Sequence, residues 1–238
     1  MLEQSPQRRI RSFVLRTGRI TDAQQRALTE LWPRFGIDLP SDAAELPLPL
    51  DEFFGRSAPK VLEIGFGNGD NLVEYAARDR QRNFIGVEVH RAGVGHALLR
   101  ALDLQLDNLR LICHDVVEVL ERGISSASLD EVLILFPDPW HKKRHHKRRL
   151  VQAPFIELLA DRIRPGGLLQ LATDWQPYAE QMLEVIGNNR HFVNRSANLG
   201  GSEGFVPRPD WRALTRFERR GQRLGHGVWD LSFERLHD

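Results

Sequence analysis

The chain has 238 residues, 41% of them hydrophobic, which is enough for one sizeable core and short for two full domains. Lys+Arg number 33 and Asp+Glu 32, a net charge of +1, so any attraction to a polyanion must come from where the charge is placed. A single cysteine, Cys113, excludes an internal disulfide and a zinc site of several thiolates, and no apolar run approaches the roughly 20 residues that span a bilayer. A soluble, cytoplasmic protein without membrane association is expected, with Cys113 as inert core.

Five arginines between Arg8 and Arg19 mark residues 1–20 as a flexible basic arm ahead of one domain over 21–238. Residues 20–58, with Pro33, Pro40, Pro47 and Pro49, predict a helix and then a loop. From residue 60 the pattern alternates β-rich runs with helical periodicity, the signature of a parallel sheet covered by helices. KVLEIGFGNG (60–69) is a strand entering a glycine turn. DNLVEYAARD follows as a helix with Leu72, Val73, Ala76 and Ala77 on one face. NFIGVEV (83–89) is the second strand, followed by a helix whose apolar face is Val94, Ala97, Leu98, Ala101 and Leu102. LRLIC (109–113), DEVLILF (130–136) and GLLQLATD (167–174) are the next three strands, the last preceded by a helix that RPGG (164–167) terminates. HFVN (191–194) and VWDLSFERL (228–236) close the sheet.

In open α/β sheets the ligand sits beyond the carboxyl ends of the strands, and those ends are polar here. They offer Glu63 with Gly65, Gly67 and Gly69, then Glu88, His114 and Asp115, then Asp138, and finally Asp174. The glycines permit a tight turn and a close backbone approach, although one glycine turn is weak evidence by itself. The spacing G-x-G-x-G departs from the dinucleotide fingerprint, and Glu63 would repel a pyrophosphate. Glu88 is placed to accept hydrogen bonds from ribose hydroxyls. The ligand implied is a nucleoside with a cationic group and no phosphates.

FPDPWHKKRHHKRR (136–149) sets one carboxylate between two prolines and then six Lys/Arg and three His in nine positions. Proline fixes φ and lacks a donor, so Pro137 and Pro139 end the strand and orient Asp138; its plainer role would be a helix cap. The run beside it suits phosphate contacts rather than a merely solvated face. His141 and His145 stand four apart, but the cations around them disfavour a metal. Trp140 and Trp175 could stack on a base or pack in the core. Six further arginines lie between Arg208 and Arg223.

Taken together, VLEIGFGNGDNLV, GVEVH, FPDPWHKKRHHKRR, TDW and TRFERRGQRLGHGVWDLSFER resemble the bacterial tRNA (guanine-N7)-methyltransferase family, over almost the whole chain. The resemblance implies a Rossmann-like class I methyltransferase, an α/β fold whose mostly parallel seven-stranded sheet carries helices on both faces. It implies S-adenosyl-L-methionine as cofactor, tRNA as substrate, and methylation of guanine N7 at position 46 of the variable loop. It makes Asp138 catalytic, and Glu63, Gly65, Glu88, Asp115 and Asp138 cofactor-binding. Lys142, Asp174, Thr215, Arg216, Phe217 and Glu218 would bind substrate, while Arg144, His145, His146, Lys147, Arg148 and Arg149 would touch RNA. No metal and no protein partner are expected, and the chain would act as a monomer or weak homodimer. Without the resemblance, Thr215 and Glu218 read equally well as a loop threonine and a salt-bridged glutamate. Two rivals share parts of this pattern. A nicotinamide-dependent dehydrogenase would need the third glycine at the dinucleotide spacing, and a non-catalytic RNA-binding protein would not need carboxylates at successive strand ends.

Overall fold

A computed structural model describes residues 12–13, 19–213, 218 and 227–237. Seven strands form one sheet: β1 (Lys60–Ile64), β2 (Asn83–Val87), β3 (Leu109–Ile112), β4 (Leu129–Leu135), β5 (Ile163–Thr173), β6 (Phe192–Asn194) and β7 (Trp229–Arg235). Their order is β3-β2-β1-β4-β5-β7-β6, parallel except that β7 runs antiparallel to β5 and β6. The parallel strands are rich in Val, Ile and Leu because both their faces are covered. The helices are α1 (Asp22–Glu30), α2 (Trp32–Phe35), α3 (Leu50–Phe54), α4 (Asp70–Arg78), α5 (Arg91–Asp103), α6 (Val116–Glu118), α7 (Ala153–Arg162) and α8 (Gln176–Gly187).

Alternation along the strands sends side chains into two cores. Leu62, Ile64, Val132 and Ile134 pack with Phe155, Leu159 and Met182 of α7 and α8. Val61, Phe84 and Leu133 pack with Leu72, Ala76 and Leu98 of α4 and α5. Strand order reverses between β1 and β4, so the turns after these neighbouring strands splay to opposite sides and leave a crevice at their carboxyl ends.

Three details differ from the sequence reading. The segment 20–58 holds three short helices rather than one, and Gly36 bridges to Leu111 along the edge of β3. RPGG does not stop α7, which ends at Arg162. These four residues open β5 instead, where the β4–β5 register shifts between Leu129 and Glu131 and Gly166 takes φ +75°. Leu102 points away from the core and is 39% exposed, whereas Val94, Ala97, Leu98 and Ala101 are buried.

Candidate active site

A cavity of about 210 Å³ opens at the crevice, walled by Gly65, Glu88, His114, Phe136, Pro137 and Asp138, with Ser12 and Phe13 across its mouth. Its floor is the turn after β1, where Gly65, Gly67 and Gly69 take φ +67°, +58° and +80°, a region that side-chain-bearing residues rarely adopt. Helix α5 presses on this turn so closely that a Cβ on Gly93 would lie 2.0 Å from the Gly67 carbonyl oxygen. No larger residue fits there.

Glu88, just past β2, is buried. Its Oε2 accepts the Gly67 N–H at 2.9 Å, and Oε1 accepts the N–H groups of Val89 (2.7 Å) and His90 (2.9 Å). His90 Nδ1 lies 2.8 Å from the same Oε1. Three backbone donors lock this carboxylate in place and tie it to the glycine turn. Among the described residues Oε2 has only that one donor, so it keeps acceptor capacity, and Glu88 lines the cavity.

Asp138 is held differently. Phe136 N–H donates to Ala172 O at 2.7 Å, which ties the exit of β4 to β5, and Phe136 and Trp140 take φ +52° and +46° on either side of the Pro137-Asp138-Pro139 turn. The far end is fixed by Arg149, whose Nε donates to Pro139 O at 2.8 Å. Among the described residues nothing hydrogen-bonds the Asp138 carboxylate, which is exposed at the cavity's rim. It caps no helix either. The 3-10 turn Lys143–Arg148 has Lys142 as its N-cap, with no side-chain cap bond.

The remaining predicted residues divide into those the structure brings to this crevice and those it does not. Lys142 and Asp174 are exposed, and neither lines the cavity. Leu135 pairs with Ala172, so Asp174 lies one strand away from the Pro137–Asp138 turn. Asp174 is not a cap for α8, because the Trp175 N–H bonds Thr173 Oγ1 at 3.3 Å. Asp115 caps α6 through the Val117 N–H (2.9 Å) and lines an adjoining cavity of about 280 Å³ that shares Ser12 and Leu150 with the first. Glu63 does not line the cavity. It points to the α4 side of the sheet, 3% exposed, and its Oε2 accepts Asn71 Nδ2–H at 2.8 Å. Burial pushes its pKa up to about 8.

Glu218 corrects the expectation of a side chain offered to substrate. It is buried in a bidentate pair with Arg212, at 2.7 and 2.9 Å, and Arg212 also grips Asp230 at 2.8 and 2.9 Å. Thr215, Arg216 and Phe217 lie outside the described residues, as does most of the basic arm.

The basic run splits. Arg144 and Lys147 are exposed. His145 packs edge-on against Trp140 at 5.9 Å, and partial desolvation plus the neighbouring cations hold its pKa below the usual histidine value. Arg148 lies over the Trp140 ring at 4.2 Å and donates to Phe13 O at 3.4 Å. Arg149 is turned inward, 3% exposed. Besides Pro139 O it meets Gln181 Oε1, His146 Nε2 (3.1 Å) and the Tyr178 ring (4.7 Å). It is a structural tie for the Asp138 turn rather than a phosphate contact, because its donors are consumed inside. His146 is occupied by that tie. Trp140 gives its Nε1–H to Ser12 O at 3.1 Å, and Trp175 packs on the core with His141 edge-on at 4.3 Å, so neither ring is an open stacking platform. Among the described residues no cluster of metal-binding groups occurs, and no helix is long and apolar enough to cross a membrane.

Comparison with known proteins settles the family. Residues 57–231 match the model of a family described as putative methyltransferases. A tRNA (guanine-N(7)-)-methyltransferase of Yersinia pseudotuberculosis serotype I (strain IP32953) is 57% identical over 228 residues, covering 96% of this chain and 92% of its own. The chain belongs to the tRNA (guanine-N(7)-)-methyltransferase family. A second member, from Serratia proteamaculans (strain 568), is 54% identical over the same coverage of both chains, 96% and 92%. The solved structures of the aminoglycoside resistance methyltransferase NpmB1 (TM-score 0.53, 14% identity, covering 83% of this chain and 95% of that one) and the 16S rRNA methyltransferase KamB (TM-score 0.53, 16% identity, 79% and 93%) share the fold of this family member.

Sequence reasoning missed three residues that organise the site. Asn71, Arg212 and the inward role of Arg149 all depend on partners distant in the chain; Asn71 and Ala213, for example, are 142 positions apart. The PDPW turn with a charged run closing back on it was the only local signal for any of them.

Proposed function

We propose that the chain transfers a methyl group from S-adenosyl-L-methionine to N7 of guanine 46 in the variable loop of tRNA. The observation that carries this reading is the pairing of two unlike carboxylates on one cavity: Glu88, fixed by backbone donors, and Asp138, whose oxygens are left open. The residues fit the cofactor. Glu88 offers its remaining lone pair to ribose hydroxyls, and the glycine turn lets a nucleoside lie against backbone. Asp115 in the adjoining cavity suits the base edge. Bound there, the cofactor supplies an electrophilic methyl on sulfur.

Guanine N7 already carries an in-plane lone pair, so no strong base is required, and positioning and electrostatics supply the rate. Asp138 accepts from the guanine N1–H and exocyclic amine, turns N7 toward the cavity, and balances the positive charge that builds on the ring. Lys142 and Asp174 flank that face, and Thr215, Arg216 and Phe217 join them in binding substrate. Arg144 and Lys147 meet phosphates next to the target base and give salt-sensitive binding without base readout. One catalytic domain over 21–238, preceded by a basic arm, acts in the cytoplasm without a protein partner, as a monomer or weak homodimer.

The test is to incubate the protein with methyl-labelled cofactor and a tRNA transcript, then digest and identify the labelled nucleoside. Label in 7-methylguanosine that disappears when guanine 46 is replaced by adenine supports the reading. Label in another nucleoside, or in 7-methylguanosine from the replaced transcript, overturns it.

A further inference from the structure

Asn71 sits in the first turn of α4, yet both ends of its side-chain amide are used away from the helix. Nδ2–H donates to Glu63 at 2.8 Å, and Oδ1 accepts the Ala213 N–H at 2.9 Å. Both contacts are dry, since Asn71, Glu63 and Ala213 are all buried. Only a group that donates at one end and accepts at the other satisfies both neighbours.

What lies at the two ends gives the contact its meaning. Glu63 is the penultimate residue of β1, one position before Ile64 and Gly65, which line the cavity. Ala213 follows Arg212, the guanidinium held by Glu218 and Asp230 and standing 5.4 Å from the centre of the Phe136 ring. Phe136 precedes the Pro137–Asp138 turn. A continuous path of hydrogen bonds and packed groups therefore runs from the strand that leads into the glycine turn, through Asn71, Ala213 and Arg212, to the turn that carries Asp138.

We infer that Asn71 couples the cofactor cavity to the substrate side, so that each ligand tightens the binding of the other. The inference rests on the function proposed above and deepens it. Asn71 is a positioning residue in this scheme, since it touches neither ligand. Its amide cannot rotate without leaving a buried donor or acceptor unpaired, so a ligand that fixes the glycine turn also fixes Ala213. Reciprocity is required by thermodynamics: the factor by which cofactor tightens tRNA equals the factor by which tRNA tightens cofactor.

The experiment measures tRNA affinity with and without saturating S-adenosylhomocysteine in three proteins. In the wild type the ligand should tighten tRNA binding by about fivefold or more, the lower end of ordinary allosteric coupling. In Asn71→Leu, which keeps the volume and removes both contacts, the factor should fall to within about twofold of one. Ala213→Pro removes the N–H at the far end and leaves Glu63–Asn71 intact. It should abolish the coupling while S-adenosylhomocysteine affinity stays within about twofold of wild type. A melting curve accompanies each variant, and if Asn71→Leu does not fold, Ala213→Pro decides alone. Undiminished coupling in Ala213→Pro, or no coupling in the wild type, overturns the inference. Failure of the wild type to bind S-adenosylhomocysteine or tRNA at all refutes the proposed function instead, and the inference falls with it.

Discussion

Glu88 and Asp138 end strands on either side of β1 and face one cavity, but they are held in opposite ways. Glu88 is buried with its oxygens occupied by the N–H groups of Gly67, Val89 and His90. Asp138 is exposed, and its orientation comes from the backbone alone: two flanking prolines, the Phe136 N–H on Ala172, and Arg149 on the Pro139 carbonyl. A carboxylate fixed by three backbone donors is a rigid acceptor for a ligand that stays in one pose. A carboxylate with open lone pairs can form new bonds as charge develops on a reacting ring. The difference predicts that one residue governs cofactor affinity and the other governs the rate.

The largest effect should come from Asp138→Asn, which keeps shape but sets a donor against the guanine amine. Methyl transfer should fall by about a hundredfold or more, as when one preorganised electrostatic contact is lost, with tRNA affinity unchanged in filter binding. Next is Glu88→Ala, which removes a charged acceptor and should weaken cofactor binding by about 1–3 kcal/mol in calorimetry. It also releases the Gly67 N–H, so part of the loss comes from the turn itself. Arg149→Met keeps much of the packing against Tyr178 but frees the Pro139 carbonyl. The rate at saturating cofactor should drop by about tenfold, because a small misplacement of Asp138 is enough to slow transfer. Its effect on salt dependence should be negligible, unlike that of the exposed cations. Replacing Arg144 and Lys147 with alanine should lower the slope of log affinity against log salt by about two counterions and leave cofactor affinity alone.

Glu63 supplies a third kind of carboxyl behaviour, visible in stability rather than rate. Its pKa is raised from 4.5 to about 8, so the folded protein holds a proton that the unfolded chain has released. Stability therefore falls as pH rises from 4.5 toward 8. Glu63→Gln, neutral throughout, should flatten that part of the pH–stability curve and raise the melting temperature more at pH 8 than at pH 5, as read by thermal melts across pH.

All seven strands were legible in the sequence, β1 to β5 because parallel strands buried on both faces read as Val/Ile/Leu runs, and β6 and β7 as the short β-rich runs that close the chain. The cavity was legible too, since glycines and carboxylates mark the strand ends. What escaped was anything set by three-dimensional proximity. A run of like charges does not say which cation turns inward, and the inward turn of Arg149 depends on Gln181 and Tyr178, on α8. Glu218 reads as a salt-bridged glutamate, but neither its partner Arg212 nor its burial beside Asp230 is visible in the sequence. Leu102 kept the helical spacing but fell at the edge of the apolar stripe near the end of α5, where the core no longer reaches. RPGG carried helix-stop residues that a strand could also accommodate through a register shift.

The division of labour between the two carboxylates is tested most directly by single-turnover methyl transfer to tRNA, with cofactor raised until the rate stops increasing, in Glu88→Gln and Asp138→Asn side by side. The account predicts that added cofactor restores Glu88→Gln to near the wild-type rate and leaves Asp138→Asn about a hundredfold slow. An Asp138→Asn protein that recovers at high cofactor, or a Glu88→Gln protein that stays equally slow, would contradict it.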